Sequence, residues 1–304
     1  MSKEVRRAAE ILRAGGLVAF PTETVYGLGA DASSEPAMRR LYAVKGRPAD
    51  HPVIVHFGSA AEAFQWGEAN KEARLLAERF WPGPLTLILK RSVLAKDFVT
   101  GGQPSVGVRV PSHPVARELL KEFGRPIAAP SANRFGRVSP TTAAHVREDL
   151  GADVDLVLDG GPSQVGIEST IVDFSGGDAV ILRPGGISAA ELKIKSEARS
   201  SIRHSGGMEK HYAPKTPARL VATHELDRQI SRLKARAAVL AFSRPDERVD
   251  FWLRMPRDPA AYAQKLYAAL RELDGANCDA ILIEAPPAES GWEAVLDRLR
   301  KATA

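Results

Sequence analysis

Two cations separated by a single glycine, Lys45 and Arg47, stand where a predicted helix ends, and Pro48 follows them. A guanidinium can form two parallel hydrogen bonds to a phosphate, an ammonium adds a point charge, and glycine allows a ligand to approach the backbone closely. Two interpretations fit the segment: the cations bind an anion, or they complement the carbonyl groups at the helix C-terminus. Pro48 and Pro52 stiffen the following chain, which a solvated helix end would not require.

Two further polar residues interrupt apolar strands. His56 lies within Val53–Phe57 and Arg109 within Val106–Val110. A histidine in such a strand is commonly structural, although it also suits a ligand site. A buried guanidinium keeps its charge and needs an anionic partner. For Arg109 that partner is either an Asp or Glu of the chain or the carboxylate of a ligand.

Segments rich in hydroxyl groups follow several of the predicted strands. They are Pro21–Gly27, Ala129–Asn133, Arg137–Pro140, Gly166–Thr170 and Arg183–Gly186. Ligands of open α/β sheets bind at strand ends, and a loop that leads into a helix N-terminus suits a phosphate. The same residues could instead form turns and caps, with Ser139 as a plain helix N-cap.

Several catalytic motifs are missing from the sequence. It contains no Gly-x-x-x-x-Gly-Lys-Ser/Thr loop, no His-Glu-x-x-His and no Gly-x-Ser-x-Gly. No nucleophile with an adjacent base is visible, which disfavours covalent catalysis. Cations and hydroxyl groups point instead to a phosphorylated substrate, with catalysis by orientation and charge stabilisation.

The elements that must position these residues are predicted from the apolar pattern. In the first region we expect helices at 4–14, 35–45, 70–80, 114–123 and 141–149, between short apolar strands. Residues 193–217 are polar and basic, and they read as a linker. Beyond them, strands at 218–222, 237–242, 251–255 and 279–284 alternate with helices at 225–236, 258–273 and 291–301, which predicts a small, mostly parallel α/β unit.

Composition sets wider limits. A chain of 304 residues with 44% hydrophobic and 26% charged residues can form two globular domains. Its net charge of +5 permits a phosphorylated or nucleic-acid partner without requiring one. Cys278 is the single cysteine, so a cysteine zinc cluster and an internal disulfide are excluded. The first residues lack a signal-peptide pattern and no apolar run nears the ~18 residues of a membrane helix, so we expect a cytoplasmic protein.

Taken together, these residues resemble the Sua5/YrdC/YwlC family of L-threonylcarbamoyladenylate synthases, in its two-domain Sua5 form. The resemblance is dense from residue 4 to about 190, and the linker segment His211–Lys215 extends it. The motifs that carry it are Phe20-Pro-Thr-Glu-Thr-Val-Tyr-Gly-Leu-Gly29, Lys45-Gly-Arg-Pro48, Trp81-Pro-Gly-Pro-Leu-Thr86, Val108-Arg-Val-Pro111, Ala129-Pro-Ser-Ala-Asn133 and Ile167-Glu-Ser-Thr-Ile-Val172.

The resemblance implies a fold and an activity. The fold would be a twisted open α/β sheet of the YrdC type with a concave basic cavity (1–192), a linker that folds back as a lid (193–217), and a smaller Rossmann-like C-terminal α/β domain (218–304). The enzyme would be a nucleotidyltransferase that joins L-threonine, bicarbonate and ATP into threonylcarbamoyl-AMP and pyrophosphate. A transferase complex would then pass the threonylcarbamoyl group to adenosine 37 of tRNAs that read ANN codons.

The resemblance also carries residue roles onto matching positions. The implied L-threonine site consists of Thr24, His56, Arg109, Ala129 and Ser169, with Arg109 on the carboxylate. The implied ATP site consists of Arg47, His51, Ser105, Ser131, Asn133, Ser139, Arg183, His211 and Tyr212. Lys45 and Arg47 are expected to be catalytic by neutralising phosphate charge, together with Mg²⁺ held by the ATP phosphates rather than by side chains.

Two departures from the family pattern stand out. Some relatives carry Asn where this chain has His51, and His adds a group that titrates near neutral pH. The lid usually opens with Pro-Gly-Met, whereas Ser205-Gly-Gly-Met208 stands here. The missing proline loosens the backbone, so we expect a lid that is disordered without ligand.

Two other functions compete with this interpretation. A basic chain with a basic cavity also suits a nucleic-acid-binding module, although aromatics make up just 6% of the residues. For the synthase itself, double-stranded RNA binding and a weak contact with tRNA are expected. A carbamoyl-transferring maturation factor shares the YrdC-type domain but carries acylphosphatase and zinc-finger modules, for which this chain has neither the length nor the cysteines. Oligomeric state, the role of the C-terminal domain and direct contact with tRNA or the transferase complex stay open.

Overall fold

The computed structural model describes residues 2–176, 178–194, 202–233 and 235–304. They form two compact units, Met1–Phe135 with Pro140–Gly207, and Gly136–Ser139 with Met208–Ala304. The change between Gly207 and Met208 falls inside the predicted linker 193–217, of which 195–201 lie outside the described residues. The predicted domain boundaries at 192 and 217 stay predictions.

In the first unit, short strands alternate with helices. In chain order the elements are α1 (Lys3–Arg13), β1 (Val18–Phe20), β2 (Gly27–Asp31), α2 (Glu35–Lys45), β3 (Ile54–His56), α3 (Ala60–Trp66), β4 (Gly67–Glu68), α4 (Lys71–Phe80), β5 (Leu85–Arg91), α5 (Asp97–Thr100), β6 (Ser105–Arg109), α6 (Pro114–Phe123), β7 (Ile127–Ala128), α7 (Ala143–Leu150), β8 (Leu156–Val157), β9 (Thr170–Asp173), β10 (Val180–Arg183) and α8 (Ala189–Leu192).

These strands form one mixed sheet of ten strands within the described residues. Its order is β10-β9-β5-β6-β3-β7-β2-β1-β8, and β4 pairs with β5. At the centre, β3 runs parallel to β6, while β7 is antiparallel to β3 and β5 is antiparallel to β6. The expected α/β sheet is therefore confirmed, with antiparallel pairs among the parallel ones.

Helices cover both faces of this sheet, as β1 illustrates. Val18 and Phe20 pack with α1 and α6, whereas Ala19 and the preceding Leu17 belong to the core that contains α2, α3, α4 and α7. Successive side chains of a strand point to opposite faces, so a continuous apolar run signals a strand buried on both sides. The polar residues carried by the strands therefore lie mostly at strand ends, as His56 and Arg109 do.

Helix α2 begins and ends where its sequence predicts. The Ser34 hydroxyl accepts a hydrogen bond from the Ala37 amide, and Pro36 occupies the first turn. At the other end Gly46 has φ +66°, and its amide donates to the Ala43 carbonyl. A side chain at Gly46 would meet no protein atom within 4 Å. The glycine is therefore required by the left-handed helix cap, in addition to any role in ligand approach.

Strand β2 and the cap of α7 differ from the local predictions, and helices α3 and α5 were not predicted. Strand β2 was not predicted, because its sequence contains two glycines, which disfavour strands. A Cβ at Gly29 would lie 2.8 Å from the Phe20 ring and 2.9 Å from Ile127, so glycine permits close strand packing there. The cap of α7 is Thr142, whose hydroxyl accepts from the His145 amide, and not Ser139.

The second unit follows the predicted alternation closely. Its elements are β11 (Ala218–Val221), α9 (Leu226–Arg232), β12 (Ala237–Ala241), β13 (Phe251–Arg254), α10 (Pro259–Asp274), β14 (Ala280–Glu284) and α11 (Glu293–Ala302). Within the described residues its four strands have the order β11-β14-β12-β13, and every pair is parallel. No helix in the described part of the chain is long and apolar enough to cross a membrane.

Candidate active site

The predicted site residues of the first unit fall into two groups along β3 and β6. Parallel pairing places His56 beside Arg109, and antiparallel pairing of β5 with β6 places Leu87 opposite Val108, the residue before Arg109. At the opposite end of the same strands, Ser105 begins β6, and Ser131 lies in the loop after β7. With about 3.3 Å of rise per residue, the two ends of β6 are roughly 13 Å apart.

Arg109 has an acidic partner within the chain. Its Nη2 atom lies 2.6 Å from Oε1 of Glu23, and both side chains are almost fully buried, at 5% and 4% exposure. The Nε atom of Arg109 donates to the Gly83 carbonyl, and the second oxygen of Glu23 accepts from the Ser112 amide. The sequence left two possible anionic partners for Arg109, an acidic residue of the chain or a ligand carboxylate. The structure contains the first of these, Glu23.

The ionised state of Glu23 is favoured by this arrangement. Burial alone would raise the pKa of its carboxyl group, but the Arg109 charge and the hydrogen bonds from Arg109 and Ser112 outweigh that effect, and the pKa is lowered. The pair is therefore a charged one at neutral pH.

His56 is held as a neutral imidazole. Burial, followed by the charge of Arg109, lowers the pKa of its ring to about 3. The ring makes an edge contact with Phe20, and its buried Nδ1 atom has no hydrogen-bond partner among the described residues. His56 is therefore an uncharged, buried side chain at the end of β3, directly beside Arg109.

Hydroxyl groups surround this end of the strands. Thr24 is buried in the loop after β1, and its hydroxyl lies 2.8 Å from that of Thr22. Ser169, just before β9, lies 2.8 Å from the hydroxyl of Thr86. Ala129, by contrast, lies towards the other end of β3, because it follows β7 and its amide donates to the carbonyl of Ile54, the first residue of β3. The five residues predicted for threonine thus occupy buried positions at the ends of adjacent strands or in the loops beside them.

Arg47 lies at the other end of β3. Its Nη2 atom donates to the Pro52 carbonyl at 2.8 Å, and its guanidinium lies over the Phe135 ring, 5.4 Å from the centroid. His51 packs edge-on against the same ring. Partial burial, followed by the Arg47 charge, lowers the pKa of His51. The Arg47 side chain is thereby fixed against the loop that precedes β3.

Lys45 is deeply buried. Its Nζ atom donates to the carbonyl oxygens of Ser131 at 2.6 Å and of Asn133 at 2.8 Å, and the residue is 2% exposed. Burial, and after it the charge of Arg47, lowers its pKa well below the ordinary value. Within the described part of the chain, no carboxylate lies within ion-pair distance of this ammonium.

Arg183 connects the two groups. Its Nη2 atom donates to the Ser169 hydroxyl at 3.1 Å, and its Nη1 atom donates to the carbonyl of Ser205 at 3.0 Å. The Ser205 hydroxyl in turn lies 3.5 Å from Nη2 of Arg47 and donates to the Pro52 carbonyl. A residue of the predicted lid therefore contacts two of the arginines that were predicted to bind ATP.

Three predicted ATP residues belong to the second unit, namely Ser139, His211 and Tyr212. The His211 amide donates to the Lys301 carbonyl, and Tyr212 is buried with φ +60° and stacks on Tyr267. The Arg298 guanidinium lies 5.3 Å from the Tyr212 ring centroid. These contacts fix the backbone of the His-Tyr segment within the second unit. The assignment of the three residues to ATP stays a prediction.

Sequence reasoning did not assign three residues of this site. Glu23, Thr86 and Ser205 all lie in quoted motifs but received no role. The need of Arg109 for an anion was a usable signal for Glu23, although several acidic residues were available. Among the described residues, no group of three or more His, Cys, Asp or Glu side chains could hold a metal ion.

Comparison with known proteins bears on the whole chain. A family model described as "Telomere recombination", which covers the Sua5, YciO and YrdC proteins, matches residues 10–185. A second one, described as "Threonylcarbamoyl-AMP synthase, C-terminal domain", matches residues 170–304. Together they span both units.

Individual relatives match over nearly the full length. Threonylcarbamoyl-AMP synthase of Pyrococcus abyssi is 39% identical, with 99% of this chain and 94% of that protein covered. The protein of that name from Bacillus subtilis is 36% identical, with 98% and 92% covered. A crystal structure of P. abyssi Sua5 complexed with L-threonine superposes with a TM-score of 0.92 at 37% identity, covering 98% of this chain and 94% of that one.

Proposed function

The chain belongs to the Sua5/YrdC family and is an enzyme of the threonylcarbamoyl-AMP synthase type, and on this premise we propose how its residues bind L-threonine, bicarbonate and ATP. The reaction joins the three substrates into threonylcarbamoyl-AMP and releases pyrophosphate. The ends of β3 and β6 would hold the two larger substrates, threonine beside His56 and Arg109, and the triphosphate beside Lys45 and Arg47.

One observation carries the assignment of the triphosphate. The ammonium of Lys45 is buried, yet within the described residues it contacts carbonyl oxygens and forms no ion pair with a carboxylate. Burial of an ammonium with no carboxylate at ion-pair distance is costly and lowers its pKa, although the more distant charges of Asp149 and Glu168 act in the opposite direction. An anionic ligand would reduce that cost. ATP supplies such an anion, and the neighbouring guanidinium of Arg47 can bind phosphate oxygens in a fork.

The threonine site follows from the other end of the strands. Arg109 offers donors to a carboxylate, and the neutral ring of His56 lies beside it. The hydroxyl groups of Thr24 and Ser169 add donors and acceptors at the same end. L-Threonine carries a carboxylate, an amine and a hydroxyl group, and these match the groups present. The L-threonine named with the solved P. abyssi relative supports this choice of ligand.

The chemistry requires no protein nucleophile. The amine of threonine attacks the carbon of bicarbonate, a C–N bond forms, and water leaves to give N-carboxythreonine. Its new carboxylate then attacks the α-phosphorus of ATP, and pyrophosphate departs with the electrons of the broken P–O bond. Lys45 and Arg47 would stabilise charge on the phosphates during this step, and the sheet ends would hold the reactants in line.

Mg²⁺ would enter as part of the substrate, bound to the phosphates of ATP. We further propose that the segment 202–207 acts as a lid over the triphosphate site, because Ser205 contacts both Arg47 and Arg183. ATP and Ser205 would compete for these two guanidinium groups, so binding of the triphosphate would displace Ser205.

The product would serve tRNA modification. Its threonylcarbamoyl group is activated by AMP, and we propose that a transferase complex passes it to adenosine 37 of tRNAs that read ANN codons, in the cytoplasm. A weak contact with tRNA belongs to the same proposal.

The test is a pyrophosphate-release assay with MgATP, bicarbonate and each amino acid in turn. Release that depends on both threonine and bicarbonate is the expected result. Tight tRNA binding without turnover would support a nucleic-acid-binding module instead. In the same assay Arg47→Ala should raise the KM for ATP, and an unchanged rate would show that Arg47 does not clamp the phosphates.

A further inference from the structure

We propose that Glu23 is a positioning residue of the threonine site, which aims the guanidinium of Arg109 at the carboxylate of the substrate. This inference rests on the proposed function, because it requires threonine to bind at Arg109. Glu23 was not among the predicted site residues. It lies in the loop between β1 and β2, and Arg109 is the last residue of β6.

The first step is the way Glu23 itself is held. Its backbone carbonyl accepts a hydrogen bond from the Val165 amide at 2.7 Å. Its two carboxylate oxygens each accept one bond, at 2.6 Å from Arg109 and at 3.1 Å from the Ser112 amide. The carboxylate is therefore fixed from two sides and cannot turn without losing one of its donors.

The second step concerns the orientation of the Arg109 guanidinium, which the fixed carboxylate of Glu23 helps to set. Its Nε donates to the Gly83 carbonyl and its Nη2 donates to Glu23, so two separate acceptors fix the plane of the guanidinium. A guanidinium has five N–H donors. Within the described part of the chain no acceptor is bound to Nη1, so that edge of the fork is available to a ligand. A carboxylate bound there would meet a donor that is already oriented.

The third step concerns charge. Glu23 and Arg109 together are neutral, and both are buried. The unliganded site therefore avoids an isolated buried cation, which would be costly. The carboxylate of a bound ligand does not have to supply the whole counter-charge of Arg109, because Glu23 already supplies part of it. The site can therefore also release the ligand.

The experiment compares Glu23→Ala, Glu23→Gln and Arg109→Ala. Glutamine has the shape of glutamate, but its amide nitrogen cannot accept a hydrogen bond, so it must face either Arg109 or the Ser112 amide with a donor. If Glu23 acts by positioning, glutamine will not rescue alanine. We expect both variants to raise the KM and Kd for threonine by at least about tenfold, with the Kd for ATP changed less than about twofold.

A double-mutant cycle separates an action through Arg109 from direct contact with the substrate. Adding Glu23→Ala to Arg109→Ala should cause no further increase in the threonine KM. A further increase of about tenfold would overturn the proposal, since it would mean that Glu23 contacts the substrate by itself. Unchanged threonine affinity in Glu23→Gln would also overturn it.

The control is Asp31→Asn, because the Asp31 side chain is equally buried, at 4% exposure, and is ion-paired with Arg125 in the same unit. It should lower thermal stability without changing the threonine KM. The ATP Kd of the Glu23 variants reports whether they fold. If wild-type protein shows no dependence on threonine, the proposed function fails, whereas threonine dependence that survives Glu23→Gln rejects the inference alone.

Discussion

The ammonium nitrogen of Lys45 lies 2.8 Å from the backbone carbonyl oxygen of Asn133, although 88 positions separate the two residues in the sequence. A second bond of 2.6 Å joins it to the carbonyl of Ser131. The C-terminal end of α2 is therefore tied to the loop that follows β7. The cation that the sequence offers for phosphate binding also holds the loop that was predicted to line the ATP site.

Replacing Lys45 should separate catalysis from stability. Lys45→Met keeps the length of the side chain but removes its charge and its three donors. Two carbonyl groups lose their donor, at about 1–3 kcal/mol each, while the burial of an ammonium is relieved. Because these effects oppose each other, we expect the free energy of unfolding to change by less than about 2 kcal/mol. Threonine-dependent pyrophosphate release should fall by about 100-fold, and activity within threefold of wild type would contradict the assignment.

The left-handed conformation of Gly46 gives a second prediction. Gly46→Ala places a Cβ at φ +66°, with no protein atom within 4 Å, so the cost is backbone strain of about 1–2 kcal/mol. Because Lys45 and Arg47 flank this residue, the KM for ATP should also rise several-fold. Gly124→Ala is the matched control, since Gly124 caps α6 at φ +70° with equal space. It should lower the melting temperature similarly and leave the KM for ATP unchanged.

Much of the architecture could be predicted from local pattern. The alternation in the second unit, the helix that ends at Lys45 and the apolar strands that carry His56 and Arg109 all follow from periodicity and capping. Strand β2 was not predicted because it contains glycines. At Gly29 a glycine is needed because the side chains of Phe20 and Ile127, which are distant in the sequence, pack against its backbone. Local propensity contains no information about such a contact.

The site shows the same division. Residue types alone predicted that Arg109 needs an anion, but which acidic residue meets it depends on how the loop at Glu23 reaches the end of β6. Likewise, Lys45 was a candidate for phosphate from its neighbours in sequence, whereas its bonds to two carbonyl groups depend on the position of a distant loop. A single sequence does not show which residues that are distant along the chain come into contact in the fold.

The side chain of Gln103 is one of several groups that hold the predicted lid segment, 193–217, through its residue Arg203. The Gln103 side chain donates to the Arg203 carbonyl at 2.9 Å and accepts from the Arg203 amide at 2.8 Å. Gln103→Ala removes both bonds, so hydrogen exchange at the Arg203 amide should accelerate by about tenfold. Mass spectrometry of peptides covering residues 202–207 measures this. Gln65→Ala is the control, because within the described residues the exposed Gln65 side chain forms no hydrogen bond. Equal hydrogen-exchange rates at the Arg203 amide in the two variants would show that Gln103 does not hold this segment.

His56 should make stability depend on pH between about 3 and 6.5. Its folded pKa is about 3 and its ordinary value 6.5, so in this interval the unfolded chain binds more protons than the folded chain. Stability is therefore lost as pH falls through this range, with a limiting slope of about 1.4 kcal/mol per pH unit from this group. His56→Gln cannot titrate, so its free energy of unfolding, measured by urea at a series of pH values, should fall less steeply.

The difference between wild type and His56→Gln isolates the histidine, because the carboxylates titrate alike in both proteins. That difference should change between pH 4 and 6 and be constant above pH 7.5. His224→Gln replaces an exposed histidine of the second unit and should leave the slope unaltered. A wild-type slope equal to that of His56→Gln over the whole range would mean that folding does not lower the pKa of His56. His56 would then not experience the burial and the Arg109 charge that the structure assigns to it.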